Sequence, residues 1–164
     1  MNERLRVGIG YDIHKASPGS SVRLGGVDIP SEIELVGHSD ADVVIHALID
    51  ALFGAAGLGD IGDHFPPSDE AYRGIDSTLL LERALERVHN RGFDLVNVDT
   101  TVIAETPKLG PHKKEMGRRL AELLGLPTQC VNVKATTRER LGSIGRGEGI
   151  AAQAVVLLSQ RGDG

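Results

Sequence analysis

Apolar and polar residues alternate near the start of the chain, where Leu5, Val7, Ile9 and Tyr11 are separated by arginine and glycine. This two-residue period predicts a strand, and the strand carries an Asp-x-His pair, Asp12 and His14, at its end. Residues two positions apart in an extended segment point to the same side. The pattern therefore predicts a pair of metal-capable side chains on one face.

A second pattern predicts a hairpin followed by a helix. Short apolar runs at 22–24 and 27–29 flank Gly25-Gly26, which is typical of a β-hairpin. Residues 39–42, Ser-Asp-Ala-Asp, have the form of a capping box before an apolar run. They predict a helix over 40–53 with Gly54 as its stop, and His46 then lies on that helix.

The rest of the chain alternates helical and strand patterns. The glycine-rich run 57–62 and the segment 64–69 predict a mobile functional loop rather than an ordinary helix. Beyond them we expect a helix capped by Asp76 or Ser77 and ending at Gly92, a strand over 95–104, a helix from about Pro111 to Gly125, and strands over 131–135 and 150–158. A hairpin followed by alternating elements predicts an α+β fold.

Composition limits the class of protein. The chain has 164 residues, 40% hydrophobic and 25% charged, which predicts a single globular domain over 1–164. No apolar run approaches the ~18 residues needed to cross a bilayer, and residues 1–6 lack the core of a signal peptide. One cysteine, Cys130, excludes an internal disulfide. We therefore expect a cytoplasmic protein that does not bind membranes.

Charge argues against nucleic acid as a partner. Eighteen basic and 23 acidic residues give a net charge of −5, and there is no basic run. The few aromatic residues are scattered, so a platform for stacking single-stranded bases is not expected. An acidic protein that acts on anionic substrates needs local positive potential, which metals and helix N-termini can supply.

Asp12, His14 and His46 are candidate metal ligands. Three protein ligands with one vacant position are typical of a catalytic divalent-metal site, and a single cysteine excludes the usual thiolate cage. The alternative is that the histidines are hydrogen-bonded core residues. Asp50, one turn beyond His46, could accept a hydrogen bond from a ligand, but a solvated helix carboxylate is the simpler interpretation.

Several other segments are candidate phosphate contacts. His38 and Ser39 precede a helix N-terminus, which favours anions. Thr136 and Thr137 follow a strand, and Glu139 could hold Mg²⁺ between phosphates. The alternatives are a plain helix cap and a turn with β-favouring threonines.

Two basic residues, Arg146 and Lys108, likewise have a functional and a purely structural interpretation. Arg146 lies in a glycine frame at 145–149, which suggests anion capture or a hairpin with a surface ion pair. Lys108 follows a strand, where a solvated lysine is the default.

Together these segments resemble the 2-C-methyl-D-erythritol 2,4-cyclodiphosphate synthase family over nearly the whole chain. The resemblance rests on several motifs in the family's order: Gly10-Tyr11-Asp12-Ile13-His14, Leu24-Gly25-Gly26-Val27, His38-Ser39-Asp40-Ala41-Asp42-Val43, His46-Ala47, Gly59-Asp60-Ile61-Gly62, Phe65-Pro66, Pro107-Lys108, Asn132-Val133-Lys134-Ala135-Thr136-Thr137 and Gly145-Arg146-Gly147-Glu148-Gly149-Ile150.

The resemblance implies a mixed β-sheet with helices packed on one face, assembled as a homotrimer around packed sheets with active sites between subunits. It implies cyclisation of 4-diphosphocytidyl-2-C-methyl-D-erythritol 2-phosphate to the 2,4-cyclodiphosphate with release of CMP, in non-mevalonate isoprenoid synthesis. The substrate is thus a small cytidylyl diphosphate.

The resemblance also implies residue roles. Asp12, His14 and His46 look like ligands of Zn²⁺ or another divalent transition metal, and Glu139 like the ligand of a Mg²⁺ or Mn²⁺ held by the substrate diphosphate. His38 and Thr137 look like the residues that stabilise the transition state. The implied substrate contacts are Asp12, His14, His38, Ser39, Asp60, Ile61, Gly62, Phe65, Asp69, Ala104, Pro107, Lys108, Leu109, Gly110, Thr136, Thr137, Glu139, Ser143 and Arg146.

Within that set, 60–62 and 65–69 look like the loop on the erythritol side, and 104–110 like the cytidine pocket of a neighbouring subunit. Ser39, Thr136 and Arg146 look like phosphate contacts. Ser143 is a departure, because some family members carry an aromatic residue there, bordering a central cavity of the trimer.

Two other functions remain open from the residues alone. A metal-dependent phosphohydrolase could use the same ligands to activate water instead of a phosphate nucleophile. A non-enzymatic trimer that binds metal or an isoprenoid phosphate would tolerate the loss of Thr137 or Glu139.

Overall fold

A computed structural model describes residues 4–162. The strands are β1 (Leu5–Pro18), β2 (Ser21–Leu24), β3 (Val27–Pro30), β4 (Ile33–Val36), β5 (Phe93–Ile103), β6 (Val131–Thr136) and β7 (Gly149–Gln160). The helices are α1 (Val43–Ala56), α2 (Ile61–His64), α3 (Ser77–Asn90), α4 (Lys113–Leu124) and α5 (Gly142–Gly145), with 3₁₀ turns at Glu70–Tyr72, Gly110–His112 and Thr128–Cys130.

Five strands form one mixed sheet in the order β4-β1-β7-β5-β6, and β2 and β3 form a separate hairpin. Only β5 and β6 run parallel, while the other neighbours in the sheet are antiparallel. The predicted α+β class and mixed sheet are confirmed. Within residues 4–162, no helix is long and apolar enough to cross a membrane.

Two glycines in β1 allow α1 to lie directly on the sheet. A Cβ atom at Gly8 would lie 1.9 Å from the carbonyl oxygen of Ala51, and one at Gly10 would lie 1.7 Å from that of Ala47. Any larger residue would therefore collide with the helix backbone. Because Asp12 follows Gly10 on the same face, this contact sets the distance between His46 and the strand.

The buried core lies between this face of the sheet and the helices. Helix α1 is apolar on nearly every side, and its Ile45, Leu48, Leu52 and Phe53 are fully buried. It packs on β1 and β7 and against α3. A helix buried this completely holds its partly buried polar side chains at the site, His46 among them, in fixed positions.

The apolar side chains of β1 point away from the helices. Leu5, Val7, Ile9, Tyr11 and Ile13 are all exposed, and Ile9 is 70% exposed. The sequence pattern correctly predicted the strand, but its glycine side is the side that packs against helix α1. The structure thus leaves a contiguous apolar strip on the outer face of the sheet.

The predicted bounds of α1 were wrong at both ends. Asp42, rather than Ser39, is the N-cap, and its carboxylate accepts a hydrogen bond from Ile45 N–H. Ala41 has a φ of 58°, so the preceding residues cannot be helical. At the other end Gly54 remains helical, and Gly57 ends the helix with a φ of 68°.

Other predicted bounds also need correction. Strand β1 continues to Pro18, so Asp12 and His14 lie in its middle. The loop predicted over 57–62 contains the start of helix α2, which a reciprocal capping box between Asp60 and Asp63 stabilises. Strand β4 was not predicted, and Pro111 lies in a 3₁₀ turn before α4.

Candidate active site

The structure brings Asp12, His14 and His46 together. The Oδ2 atom of Asp12 lies 2.8 Å from His14 Nε2 and 3.1 Å from His46 Nδ1, and the two nitrogens are 3.0 Å apart. Ligands bound at about 2.0 Å around a tetrahedral zinc ion are about 3.3 Å apart. One carboxylate oxygen and two imidazole nitrogens in this arrangement therefore fit a divalent transition metal.

The ring of His14 is oriented by the backbone of β4. Its Nδ1–H donates to the carbonyl oxygen of Val36 at 3.1 Å. A carbonyl can only accept, so the proton of the neutral ring lies on Nδ1 and the lone pair on Nε2. The lone pair of Nε2 faces the other two ligand atoms.

The electrostatics of the cluster favour a bound cation. Burial alone would raise the pKa of Asp12, but hydrogen bonds with His14 and His46 outweigh it and lower the pKa to about 2. Burial would lower the pKa of His14, but the hydrogen bond and charge of Asp12 outweigh it and raise that pKa. Asp12 is therefore ionised and available as a ligand, and a proton added at His14 Nε2 would compete with a metal for the same position.

A cavity of about 180 Å³ opens beside these three ligands. His38 and Ser39, which precede α1, line it, and so do Ile61, Gly62 and Phe65 from the segment around α2. Ligand atoms, a helix N-terminus and an apolar wall thus meet in one cavity, which suits an organic phosphate.

Two other predicted contacts have structural roles nearby. Asp60 caps α2 by accepting from Asp63 N–H at 3.0 Å, and Asp69 accepts from Ala71 N–H at 2.9 Å. Neither carboxylate lines the cavity. The simpler interpretation of Asp50 was wrong: its half-buried carboxylate accepts from Ile61 N–H at 2.8 Å and so ties α1 to α2.

A second cavity, of about 170 Å³, is lined by the segment after β5 and the end of β6. The predicted residues that line it are Ala104, Pro107, Lys108, Leu109, Gly110, Thr136 and Thr137. Glu105 joins the two segments, because one carboxylate oxygen accepts from Arg138 N–H at 2.8 Å and from Arg140 N–H at 3.2 Å. None of the three metal ligands lines this cavity.

The remaining predicted residues lie outside both cavities. Glu139 is exposed, and its N–H donates to Thr137 Oγ1 at 3.2 Å. Arg146 pairs with Glu148 at 2.6 Å, as the surface ion-pair alternative predicts. Ser143 lines a third cavity with Ile13 and Lys15. Within residues 4–162 the Asp12–His14–His46 group is the one cluster of three metal-capable side chains, so Glu139 is not part of another.

A comparison with known proteins places this geometry in a family. The model of the YgbB family matches residues 5–159 of the chain. The chain belongs to the YgbB family.

Two curated relatives of this YgbB chain carry the same enzyme name. The proteins called 2-C-methyl-D-erythritol 2,4-cyclodiphosphate synthase of Thioalkalivibrio sulfidiphilus and Burkholderia ambifaria are both 56% identical to it. The first match covers 94% of this chain and 96% of the relative, and the second covers 96% and 98%. The family resemblance seen in the motifs is confirmed.

Solved structures share the YgbB fold. The bifunctional IspDF of Campylobacter jejuni matches with a TM-score of 0.93 at 42% identity, over 97% of this chain. This chain spans 43% of that longer protein. IspF of Plasmodium falciparum, solved as a CDP complex, matches with a TM-score of 0.84 at 33% identity, covering 96% of this chain and 97% of that one.

Sequence reasoning missed two residues that organise the site, and it gave a third, Glu105 in the predicted 104–110 segment, no role of its own. Ser77 and Asp40 contact His46 directly or through one another, and Glu105 joins the two segments of the second cavity. Ser77 was predicted only as a possible helix cap, and Asp40 only as part of a capping box. Their spacing of 37 residues leaves no local signal of the contact.

Proposed function

We propose that this chain is a 2-C-methyl-D-erythritol 2,4-cyclodiphosphate synthase. It converts 4-diphosphocytidyl-2-C-methyl-D-erythritol 2-phosphate into the cyclodiphosphate and releases CMP. The observation that carries the proposal is the Asp12–His14–His46 cluster, whose ligand atoms lie within 3.1 Å of one another beside an open cavity. The relatives' name supplies the substrate.

The cluster supplies the first of two metal positions. Zn²⁺ or another divalent transition metal bound there would act as a Lewis acid that neutralises phosphate oxygens. Asp12, His14 and His46 hold the ligand geometry, while His38 and Ser39 line the same cavity and donate to phosphate oxygens. We assign His38 to stabilising the transition state.

The substrate's own geometry accounts for much of the remaining catalysis. Its 2-phosphate oxygen attacks the β-phosphorus of the same molecule, and the bond to the CMP oxygen breaks. Holding both groups in contact can supply roughly 7–11 kcal/mol of the barrier. Ile61, Gly62 and Phe65 line the wall that holds the erythritol carbons folded, and Asp60 and Asp69 fix the backbone of that segment by capping it.

The second cavity suits the cytidine diphosphate end of the substrate. Residues 104–110 offer backbone groups and Lys108, and Thr136 and Thr137 offer hydroxyl donors for phosphates. We assign Thr137 to stabilising the transition state from this side. Glu139 is exposed beside Thr137, so a Mg²⁺ or Mn²⁺ held by Glu139 would take its other ligands from the diphosphate and water.

We propose that the complete site forms between neighbouring copies in a homotrimer. The metal ligands and the cytidine-side residues line separate cavities of one chain, and the outer face of β1 exposes Leu5, Val7 and Ile9. Packing this face against other copies would bury it and could bring one chain's first cavity to the next chain's second.

Arg146 and Ser143 fit the same assembly. Arg146 is exposed beside Glu148, and Ser143 lines the cavity next to Ile13 on the strip-bearing strand. We expect both near the trimer axis, where Arg146 can reach a phosphate.

The single unpaired Cys130 supports a cytoplasmic location.

Product analysis tests this function against hydrolysis. The protein, supplied with the cytidylyl phosphate substrate, zinc and Mg²⁺, should yield CMP and a cyclic diphosphate in ³¹P NMR and mass spectra. A hydrolase would incorporate water and give linear phosphates. A binding protein would return the substrate unchanged.

A further inference from the structure

The second ring nitrogen of His46 lies in a hydrogen-bonded pocket behind the proposed metal site. Its Nε2 is 2.9 Å from Ser77 Oγ and 2.9 Å from Ser39 Oγ. The His46 side chain is only 11% exposed. Which ring nitrogen of His46 carries the proton therefore depends on whether these two hydroxyls accept or donate a hydrogen bond.

Asp40 decides the direction of the hydrogen bonds at Ser77. The Ser77 hydroxyl donates to Asp40 Oδ1, and its backbone N–H donates to Asp40 Oδ2 at 2.9 Å. A carboxylate can only accept, so the hydroxyl proton of Ser77 is committed to Asp40. The Ser77 oxygen is then left to accept, and the groups that face it are His46 Nε2 at 2.9 Å and, more distantly, Ser39 Oγ at 3.5 Å.

Arg23 compensates the charge of this half-buried carboxylate. Its Nε lies 3.2 Å from Asp40 Oδ2, although the N–H does not point at that oxygen. The same guanidinium lies 3.2 Å from Asp76 and 3.3 Å from Asp28. Contacts therefore connect the partly exposed guanidinium of Arg23 to Asp40, and Asp40 through Ser77 to His46.

We propose that Asp40 and Ser77 form a positioning relay that keeps the His46 proton on Nε2 and presents the Nδ1 lone pair to the metal. The relay rests on the proposed metal site but not on the identity of the substrate. Ligand histidines in proteins usually donate their second N–H to a carboxylate or carbonyl, which fixes the ring orientation. Here a buried serine stands between the histidine and the carboxylate.

The relay has a consequence for Ser39. Its oxygen accepts from Ala41 N–H at 3.3 Å and lies beside His46 Nε2–H, so its own proton is not needed for the imidazole. Because Ser39 also lines the first cavity, that proton can be donated to a phosphate oxygen. Ser77 and Ser39 therefore have different tasks although both touch the same nitrogen.

The test compares Ser77→Ala with Thr78→Val. Both variants remove a hydroxyl in the first turn of α3 that donates to an aspartate. The Ser77 hydroxyl donates to Asp40, whereas the Thr78 hydroxyl donates to Asp76 and does not reach His46. Zinc affinity of the metal-depleted proteins is measured by competition with a chelator. We expect Ser77→Ala to bind zinc about 10–100-fold more weakly and Thr78→Val to stay within about twofold. Equal affinities in folded Ser77→Ala and unsubstituted protein would overturn the relay.

A second measurement decides the matter even if Ser77→Ala does not fold. Imidazole ¹⁵N spectra are recorded for zinc-free Asp12→Ala, which lacks the carboxylate 3.1 Å from His46 Nδ1, at a pH where the rings are neutral. With that competing acceptor removed, the relay predicts that His46 carries its proton on Nε2. A proton on Nδ1 in this variant would overturn it. If the unsubstituted protein bound no zinc, the proposed metal site would fail, and this spectrum would still decide whether Asp40 and Ser77 orient His46.

Discussion

Gly10 and Ala47 are in direct backbone contact, since a Cβ atom at Gly10 would lie 1.7 Å from the Ala47 carbonyl oxygen. Ala47 follows His46 on α1, and Gly10 precedes Asp12 on β1 by two residues. The absence of one side chain therefore sets the spacing between the ligands of the two elements.

Replacing Gly10 with alanine should damage both the fold and the metal site. The added methyl group must push α1 away from β1, and overpacking of this kind typically costs about 1–3 kcal/mol. We expect lower thermal stability and zinc affinity reduced by tenfold or more, measured by calorimetry and chelator competition. Gly54→Ala is the matched control, because a Cβ atom there meets only Ile9 O, at 4.0 Å. Equal losses in both variants would contradict the proposed spacing role.

Removal of the His46 imidazole should abolish metal binding without unfolding the chain. Helix α1 is held by its apolar residues, so His46→Ala should retain its circular dichroism spectrum. Zinc content per chain, measured by mass spectrometry after dialysis, should fall to background. His89→Ala, at an exposed histidine 3.8 Å from Asp94, should keep its zinc. A folded His46→Ala protein with full zinc content would exclude the assigned ligand set.

Asp42→Asn should destabilise the fold although no metal ligand changes. The buried Asp42 carboxylate accepts from Gly25 N–H at 2.9 Å, Gly26 N–H at 2.7 Å and Ile45 N–H at 3.1 Å. Gly25 and Ile45 share Oδ1, so an amide oxygen there keeps both, but Gly26 N–H loses its acceptor and faces an NH₂ group instead, at a cost of about 1–3 kcal/mol in the free energy of unfolding. Urea unfolding measures this cost, and Asp28→Asn, at an exposed carboxylate, should lose less than about 1 kcal/mol.

Zinc affinity should rise with pH and then level off. The hydrogen bond and charge of Asp12 raise the pKa of His14 despite its burial, so the competing proton persists above the ordinary value of 6.5. Below that raised pKa, affinity should fall by about tenfold per pH unit, since one proton must leave before metal binds. Asp12, with a pKa of about 2, stays ionised and adds no slope above about pH 4. Affinity that is constant between pH 5 and 8 would contradict this.

The exposed strip on β1 should control assembly. Ile9→Glu places a charge at a side chain that is 70% exposed in one chain. If this face packs against other copies, the substitution should shift sedimentation from trimer to monomer while zinc binding persists. Glu34→Gln, on the edge strand β4, is the control for a changed surface charge. An unchanged trimer would place the interface elsewhere.

The local sequence was sufficient for the elements whose signals lie close together. Gly25-Gly26 predicts the β2–β3 hairpin, and the capping residue Asp76 predicts the start of α3. The three candidate metal ligands could also be predicted, because the chain has few metal-capable side chains in suitable positions. An Asp-x-His pair on a strand and a histidine on the next helix are enough to suggest one site.

The rest depended on contacts between distant residues. The start of α1 was misplaced because Asp42 is held by the distant Gly25 and Gly26, which makes it the cap instead of Ser39. The exposure of Leu5, Val7 and Ile9 contradicts the usual rule that apolar residues face the helices, because Gly8 and Gly10 occupy the side of β1 that packs on α1. The bond between Ser77 and His46 has no signature in the sequence.

The most direct test of the composite site is subunit complementation. His46→Ala disables the first cavity and Thr137→Ala the second, so each homogeneous protein should form almost no cyclodiphosphate. Unfolding and refolding the two together should form mixed trimers in which one interface joins an intact first cavity to an intact second one, and cyclodiphosphate and CMP should reappear. The His46→Ala/Thr137→Ala double variant mixed with either single variant should not recover. Mixed trimers without any cyclodiphosphate would contradict a site shared between copies.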